Sequence, residues 1–210
     1  EIYTLSLHDA LPISIHELSS IQTPPVFSID TSPDQKWSCI AAVGGNGEDG
    51  GVHGEITGKE MGDGSVKMDY RPGTRWVIER AKELNKRHRR AIWVLDKGTQ
   101  AGTYIPALES AGLKVISPTT REVAQACGDF YAAVVPRGDG SKPDFWHIDQ
   151  ADLTTAVANA GKRDLADLWA WDKRNSASDI TPLVAVTNAL WGYRQSVNKP
   201  KPKPMAAWGR

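Results

Sequence analysis

The stretch Val26-Phe-Ser-Ile-Asp-Thr-Ser-Pro-Asp-Gln-Lys-Trp-Ser-Cys-Ile-Ala-Ala-Val-Gly44 decides the fold. It predicts two strands joined by a turn at Ser32-Pro-Asp34, because proline presets φ and aspartate tolerates tight turns. The period of two places Asp30 on the face opposite the apolar Phe27 and Ile29. An ionised carboxylate inside an apolar strand is costly unless a partner compensates it, and a divalent metal is a common partner. The alternative is that Asp30 only ends the strand and begins the turn.

Length and charge suit a single domain. The chain has 210 residues and a mass of 22.9 kDa, which suffices for one core and a short tail. It carries 25 basic and 25 acidic side chains, so its overall charge does not indicate a nucleic-acid partner. Two cysteines fit a reducing compartment and are expected to be small buried side chains. No apolar run approaches the ~20 residues of a membrane span, and we expect no membrane partner.

The composition divides the chain into three parts. Residues 1–24 are expected to be a non-native or disordered lead-in, because residues 1–14 (EIYTLSLHDALPIS) resemble translated sequencing-adapter read-through. On that interpretation the true N-terminus lies upstream. Residues 25–195 are expected to form the folded domain. Residues 196–210, in which lysine and proline alternate over 199–204, are expected to form a mobile basic tail.

The first half of the domain predicts a meander followed by a helix and a buried strand. A third strand is expected at Val52–Ile56, and then a helix beginning near Thr74. The basic end of that helix, residues 86–90, is interpreted as complementing the helix C-terminus rather than as a DNA contact. Residues 91–96 form an apolar run that predicts a buried parallel strand. It ends at Asp96, where open α/β sheets bind ligands.

The second half alternates helices with short strands. The pattern predicts a helix at 104–111, a strand at 113–116, a helix capped by Thr119 or Thr120, an edge segment at 145–148, a helix at 150–160, a strand-like segment at 165–174 and a last helix with Thr181 as N-cap. We therefore predict an α/β fold with a mixed central sheet, a three-strand meander followed by parallel strands, flanked by helices. This is the order of a ribonuclease H-like fold, in which the first and fourth strands are adjacent and the last helix packs across them.

Such a fold can bring three acids together, and we expect these to be Asp30, Asp96 and Asp179. Three carboxylates at one sheet edge cannot all stay ionised unassisted, because like charges repel at that range. Two divalent ions roughly 4 Å apart would neutralise them, activate water and stabilise the leaving oxygen of a phosphodiester. Oxygen ligands suit Mg²⁺ or Mn²⁺. Each acid also has a structural alternative: Asp96 can simply end a strand, and Asp179 can begin a helix whose dipole favours it.

Basic side chains near the last helix are candidates for DNA contact. Lys173 and Arg174 are the first candidates for phosphate contacts, and Arg163 is the next. A surface salt bridge explains the first two almost as well. His147 is a candidate general base, although a hydrogen-bonded structural histidine is the favoured interpretation.

Three segments resemble the C-terminal nuclease domain of tailed-phage terminase large subunits, of the actinobacteriophage type. They are residues 96–113 (DKGTQAGTYIPALESAGL), 126–131 (ACGDFY) and 169–185 (WAWDKRNSASDITPLVA). The similarity covers roughly residues 25–195, and it depends on the ordered set rather than on a single motif. It implies a metal-dependent endonuclease that cuts concatemeric viral DNA during packaging into the procapsid.

The resemblance also assigns positions and partners. It makes Asp30 the first-strand acid, Asp96 the acid that ends the fourth strand and Asp179 the acid at the final helix, although many relatives carry glutamate at the second position. It implies double-stranded DNA as substrate, the portal and the small terminase subunit as partners, and the host cytoplasm as location. The ATPase motor of these proteins has no counterpart here, since the chain contains no GxxxxGK(S/T) phosphate loop.

Two other interpretations stay open. One is a different ribonuclease H-like nuclease, such as a junction resolvase or an integrase. The other is a catalytically silent module that docks DNA or the portal through the same fold.

Overall fold

A computed structural model describes residues 14–15, 19–47, 51–135 and 143–197. The described strands are β1 (Ser14–Ile15), β2 (Val26–Thr31), β3 (Trp37–Gly45), β4 (Val52–Ile56), β5 (Gly58–Glu60), β6 (Val66–Met68), β7 (Tyr70–Pro72), β8 (Ile92–Val94), β9 (Lys114–Ile116), β10 (Phe145–His147), β11 (Lys162–Leu165) and β12 (Leu168–Trp171). The described helices are α1 (Val77–Arg87), α2 (Ile105–Ser110), α3 (Thr120–Val134), α4 (Ala151–Ala158) and α5 (Thr181–Val197). A 3-10 helix at Gln100–Tyr104 leads into α2.

The main sheet has the strand order β1-β10-β4-β3-β2-β8-β9, with β7 also paired to β3. β2, β3 and β4 form an antiparallel meander, whereas β8 and β9 run parallel to β2. α5 packs across β2, β3 and β8. The mixed sheet, the adjacency of β2 and β8 and the position of the last helix are confirmed as the sequence predicts them.

Strand alternation separates two apolar cores. Phe27 and Ile29 of β2 point into a core with α1 and α2. Cys39 and Val43 of β3 point into a core with α3 and α5. Both cysteines are free and buried, as expected. Because Asp30 is out of phase with Phe27 and Ile29, it belongs to the face of β2 that α5 covers.

A glycine brings α5 close to the sheet. A Cβ added at Gly192 would lie 2.4 Å from Val94 Cγ2 and 3.0 Å from Val26 Cγ1. Any side chain at this position would therefore push the helix away from β2 and β8. The close approach holds α5 over the face of the sheet that carries Asp30. Asp179, two residues before the helix begins, is held over the same face.

The structure differs from the sequence expectation at several short elements. α1 begins at Val77 with no side-chain cap, three residues after Thr74, near which the sequence predicts its start. Between the predicted strand at Val52–Ile56 and the predicted helix, residues 58–70 contain the β5–β6 hairpin and the start of β7. The sequence predicts no strand there, because strands of three residues are too short to show a clear alternation. The segment 145–148, expected at a sheet edge, forms β10, which lies between β1 and β4.

Part of the expected lead-in is held against the sheet. The Gln22 N–H donates to Gly45 O at 2.8 Å, and Thr23 Oγ1 accepts the Gly45 N–H at 2.8 Å. Ser14–Ile15 pairs with β10. Residues 1–13 and 198–210, which include most of the expected tail, lie outside the described residues. Within the described ranges, no helix is both long enough and apolar enough to cross a membrane.

Candidate functional site

Asp30 is buried inside β2, with 1% of its surface exposed. The antiparallel register places it opposite Cys39 of β3. β2 continues through Thr31, so the alternative in which Asp30 merely ends the strand is wrong. A buried carboxylate in the middle of a sheet requires a compensating partner.

Lys173 is that partner. Its Nζ lies 2.8 Å from Asp30 Oδ1, 2.7 Å from Asp30 Oδ2 and 2.7 Å from the backbone oxygen of Thr31. An ammonium group has three N–H donors, so this arrangement uses all of them. The side chain of Lys173 is 16% exposed. The compensating cation that the sequence led us to expect as a metal is, in this structure, a lysine of the same chain.

Burial governs the protonation of Asp30. Loss of water raises the pKa of its carboxyl group, and the charge and hydrogen bonds of Lys173 oppose that rise. The negative charge of Asp179 adds to the rise. Asp30 and Asp179 therefore lie within electrostatic range of each other.

Asp179 lies half-buried at the beginning of α5. Its Oδ1 accepts the Thr181 N–H at 2.8 Å, which satisfies one of the free donors at the helix start. The predicted N-cap is thus wrong, because Thr181 is the first residue of the helix and Asp179 makes the capping bond. Burial is the main cause that raises the pKa of Cys39, and the charges of Asp30 and Asp179 both add to that rise. Asp179 therefore faces the same part of the sheet as Asp30.

Asp96 lies two residues beyond β8. The parallel register pairs Ser28 with Val94, and continuing it by two residues on each strand brings Asp96 alongside Asp30. Its Oδ1 accepts the Gly98 N–H at 2.8 Å, as in an Asx turn. The backbone thus places Asp96 at the predicted edge, while one carboxylate oxygen is used by its own turn.

The three acids do not form a ligand cluster. Among the residues that the structure describes, no group of three or more His, Cys, Asp or Glu side chains is arranged to hold a metal ion. The chemistry of the donors nevertheless fits Mg²⁺ or Mn²⁺, since carboxylate oxygens are the ligands these ions prefer. The Lys173 ammonium marks a position next to both oxygens of Asp30 where a cation is bound. The roles of Asp30, Asp96 and Asp179 as catalytic residues and metal ligands stay predictions.

A cleft with a volume of about 570 Å³ opens beside this ion pair. It is lined by the end of β2 and the turn after it, by the turn after β8, and by the end of the β11–β12 hairpin with the three basic side chains proposed from the sequence. The lining residues are Thr31, Pro33, residues 97–100, Arg163, Trp171, Asp172, Lys173 and Arg174. Arg163 and Arg174 are exposed. Two exposed guanidinium groups at the mouth of a cleft suit the phosphates of a nucleic acid.

The β11–β12 hairpin presents Arg163 to the cleft. It is held against α3 by Lys162, whose Nζ lies 3.7 Å from the ring centroid of Tyr131 and 4.2 Å from that of Trp169. Trp171 donates from Nε1 to Thr187 Oγ1 of α5 at 3.0 Å. The tryptophans of this hairpin therefore anchor it to the domain.

Asp172 shapes the turn that carries Lys173, in line with its interpretation from the sequence as a turn, cap or surface acid. Asp172 Oδ1 accepts the N–H groups of Arg174 and Asn175 at 3.0 and 3.1 Å, and Asp172 Oδ2 accepts Asn175 Nδ2 at 2.8 Å. Aspartate is common in turns because its side chain can accept backbone N–H groups two and three residues later in the chain. Asp172 orients Lys173 toward Asp30.

His147 is buried in the sheet and hydrogen-bonded. It is 1% exposed in β10, and its Nδ1 lies 2.6 Å from the Ile148 oxygen. Burial lowers its pKa. It does not line the cleft, and the structural interpretation is the better one.

Comparison with known proteins identifies the fold. No protein-family model and no curated protein matches the sequence. The large terminase nuclease of thermophilic phage G20c matches with 12% identity and a TM-score of 0.58, covering 90% of this chain and 98% of that chain. The same nuclease with bound magnesium matches with 12% identity and a TM-score of 0.55, covering 88% and 91%. The large terminase nuclease domain of Thermus phage P74-26 matches with 10% identity and a TM-score of 0.53, covering 88% and 92%.

At such low identity the likeness establishes the fold. The chain has the ribonuclease H-like fold of terminase nuclease domains, which confirms the fold and the resemblance predicted from the sequence.

Proposed function

We propose that this chain is the nuclease part of a phage terminase large subunit, which cuts concatemeric viral DNA during genome packaging by metal-dependent hydrolysis of phosphodiester bonds. The observation that carries the proposal is a buried strand aspartate, Asp30, beside a cleft lined by basic side chains. It lies in a fold shared with terminase nucleases, one of which was solved with magnesium.

The proposed cofactor is Mg²⁺ or Mn²⁺ at a two-metal site held by Asp30, Asp96 and Asp179. Such ions supply an activated water and stabilise charge on the leaving oxygen. The chain contributes the placement of the three carboxylates. β2 fixes Asp30, the start of α5 fixes Asp179, and the turn after β8 leaves Oδ2 of Asp96 for a cation while Oδ1 holds the turn.

The proposed substrate is double-stranded DNA. Arg163 and Arg174 are the proposed phosphate contacts, and their positions in the lining of the cleft support this proposal. Lys173 is the third proposed phosphate contact, and it requires release from Asp30 because all three of its donors are used there. The proposed assembly includes an ATPase motor, the portal and the small terminase subunit on the procapsid in the host cytoplasm.

Plasmid cleavage tests the proposal. We expect the purified chain to nick and linearise supercoiled DNA in Mg²⁺ or Mn²⁺ and to stop when EDTA is added. Asp30→Asn should lower the rate about a thousandfold, since loss of a metal ligand removes several kcal/mol of transition-state stabilisation. Asp34→Asn is the matched control: this acid is next to the same strand end, but it is half-exposed and paired with Lys36. Cleavage by Asp30→Asn at the wild-type rate would overturn the proposal.

A catalytically silent DNA- or portal-binding module is the second candidate. The observation that favours it is the fully bonded ammonium on Asp30, together with the lack of a three-acid cluster among the described residues. It predicts that the wild-type chain binds DNA, cuts nothing in either metal and takes up no Mn²⁺ in calorimetry. A junction resolvase or integrase would instead prefer branched DNA or a specific site.

A further inference from the structure

We propose that Lys173 is an internal counter-cation that competes with a divalent metal for Asp30, so that metal binding at this carboxylate requires the lysine ammonium to leave. This inference rests on the proposed function, because it assumes that Asp30 binds a metal.

The first step is that Lys173 occupies both carboxylate oxygens of Asp30. Both of its oxygens bond to one Nζ, at 2.8 and 2.7 Å. A divalent ion that coordinates either oxygen would come close to the ammonium charge. Like charges at that separation repel strongly in a site shielded from water. Lysine and metal therefore exclude each other at Asp30.

The position of Lys173 carries the second step. It belongs to the turn between β12 and α5, outside regular secondary structure. Among the described residues, only Asp30 and the Thr31 oxygen bond to its ammonium group. A four-carbon stem reorients easily compared with a planar, bidentate guanidinium. The ammonium can therefore leave without unfolding a helix or strand.

The third step is the cleft, which can accept the ammonium group once it leaves Asp30. Lys173 lines the same cleft as Arg163 and Arg174. A freed ammonium there joins two guanidinium groups at the surface proposed to bind phosphates. The lysine is thus a positioning residue that exchanges partners, holding Asp30 in place before the metal binds.

Mn²⁺ calorimetry on the full chain tests this exchange. Lys173→Met removes the ammonium that competes with the metal, so this variant should bind Mn²⁺ about tenfold or more tightly than the wild type. A change in affinity of this size is expected when a charge-assisted hydrogen-bonded pair no longer has to be broken. Lys97→Met is the matched control, because Lys97 lines the same cleft without contacting Asp30. Its Mn²⁺ affinity should stay close to that of the wild type.

The outcomes separate this inference from the proposed function. If the wild type binds Mn²⁺ and Lys173→Met binds it equally well or more weakly, the competition is overturned while the nuclease proposal stands. An equal gain in Mn²⁺ affinity in Lys97→Met would also overturn the competition, because the gain would then come from removing any positive charge in the cleft. If the wild type binds no metal, the proposed function fails and this inference fails with it.

A measurement on the unaltered chain covers the case in which Lys173→Met does not fold. Nitrogen-15 NMR of the lysine side chains should show a protected Lys173 ammonium in EDTA. Titration with Mg²⁺, which is diamagnetic, should shift or broaden that signal as the ammonium is released to water. A Lys173 signal that stays unchanged while the Asp30 carboxyl carbon shifts would overturn the exchange.

Discussion

Within the described ranges, Asp30 and Asp69 are the two buried carboxylates, at 1% and 0% exposure, and their surroundings differ. Asp69 is bonded by two arginines and a threonine: Arg80 Nε and Thr57 Oγ1 lie 2.7 and 2.8 Å from its Oδ2, and Arg71 donates to its Oδ1. In the part of the chain that the structure describes, the side chain of Asp30 has one side-chain partner, Lys173.

The surroundings of Asp69 indicate a structural role. Its backbone is also bonded on both sides, because its N–H donates to Thr57 O and its oxygen accepts the Ile40 N–H. The guanidinium of Arg80 further bonds to Gly58 O, so the network ties α1 to the β5–β6 hairpin. Rigid, multiply bonded arginines suit a permanent ion pair, whereas one flexible lysine at the wall of a cleft suits a pair that can open.

The largest expected difference between the Asp69 and Asp30 ion pairs is in their contribution to the free energy of unfolding. Arg80→Met leaves Asp69 buried without its main partner and should lower the free energy of unfolding by about 3–5 kcal/mol. Lys173→Met should cost less, because Asp30 lies beside the cleft and water or a proton can compensate it. Urea denaturation in EDTA measures both variants. A cost for Lys173→Met as large as that for Arg80→Met would remove the distinction between the two acids.

DNA binding gives the second test. If the Asp30 side is the functional side, Arg163→Ala should weaken binding to duplex DNA and reduce the slope of log K against log salt by about 1, as for one lost phosphate contact. Arg75→Ala is the control on the Asp69 side, since Arg75 is exposed near α1 and does not line the cleft. Salt-dependent fluorescence anisotropy measures both. An equal loss for Arg75→Ala would show that DNA binding does not discriminate between the two regions.

The smallest effect concerns an exposed acid, Glu122, in the capping box of α3. Its Oε2 accepts the Thr119 N–H at 2.7 Å, and this bond lowers its pKa. A lowered pKa in the folded state gives stability that is present at neutral pH and lost as the pH falls through that pKa.

We expect Thr119→Ala to cost about 1 kcal/mol, because the N3 backbone loses its acceptor. Glu122→Gln should flatten the acid dependence of stability. Thermal melts across the acidic range measure both effects. A Glu122→Gln variant with the same acid dependence as the wild type would contradict the assignment.

The fold was predictable where local patterns are strong. The alternation around Asp30, the proline turn after it and the apolar run before Asp96 fixed the meander and the parallel strand beside it. The structure shows that Thr119, one of the two predicted caps, caps the start of α3 and forms a capping box with Glu122. The short strands β5 and β6 carry no comparable pattern, and their pairing depends on tertiary contacts such as Arg80 with Gly58.

The candidate site was predictable only in part. The alternation of side chains along β2 and the strand order bring Asp30 and Asp96 to one edge of the sheet. The packing of α5 across β2 and β8 brings Asp179 over the same face. The bond between Lys173 and Asp30 joins residues 143 apart in the chain, so no local signal reveals it. A sequence identifies the buried charge that needs a partner, but only the fold shows which cation is bound.

The most direct test of the central claim is Mn²⁺ calorimetry on the wild type, Asp30→Asn and Asp34→Asn. The account predicts that the wild type and Asp34→Asn bind Mn²⁺ alike and that Asp30→Asn, which remains folded, does not. Equal binding by Asp30→Asn would contradict the claim that this buried strand carboxylate is the metal ligand of the domain.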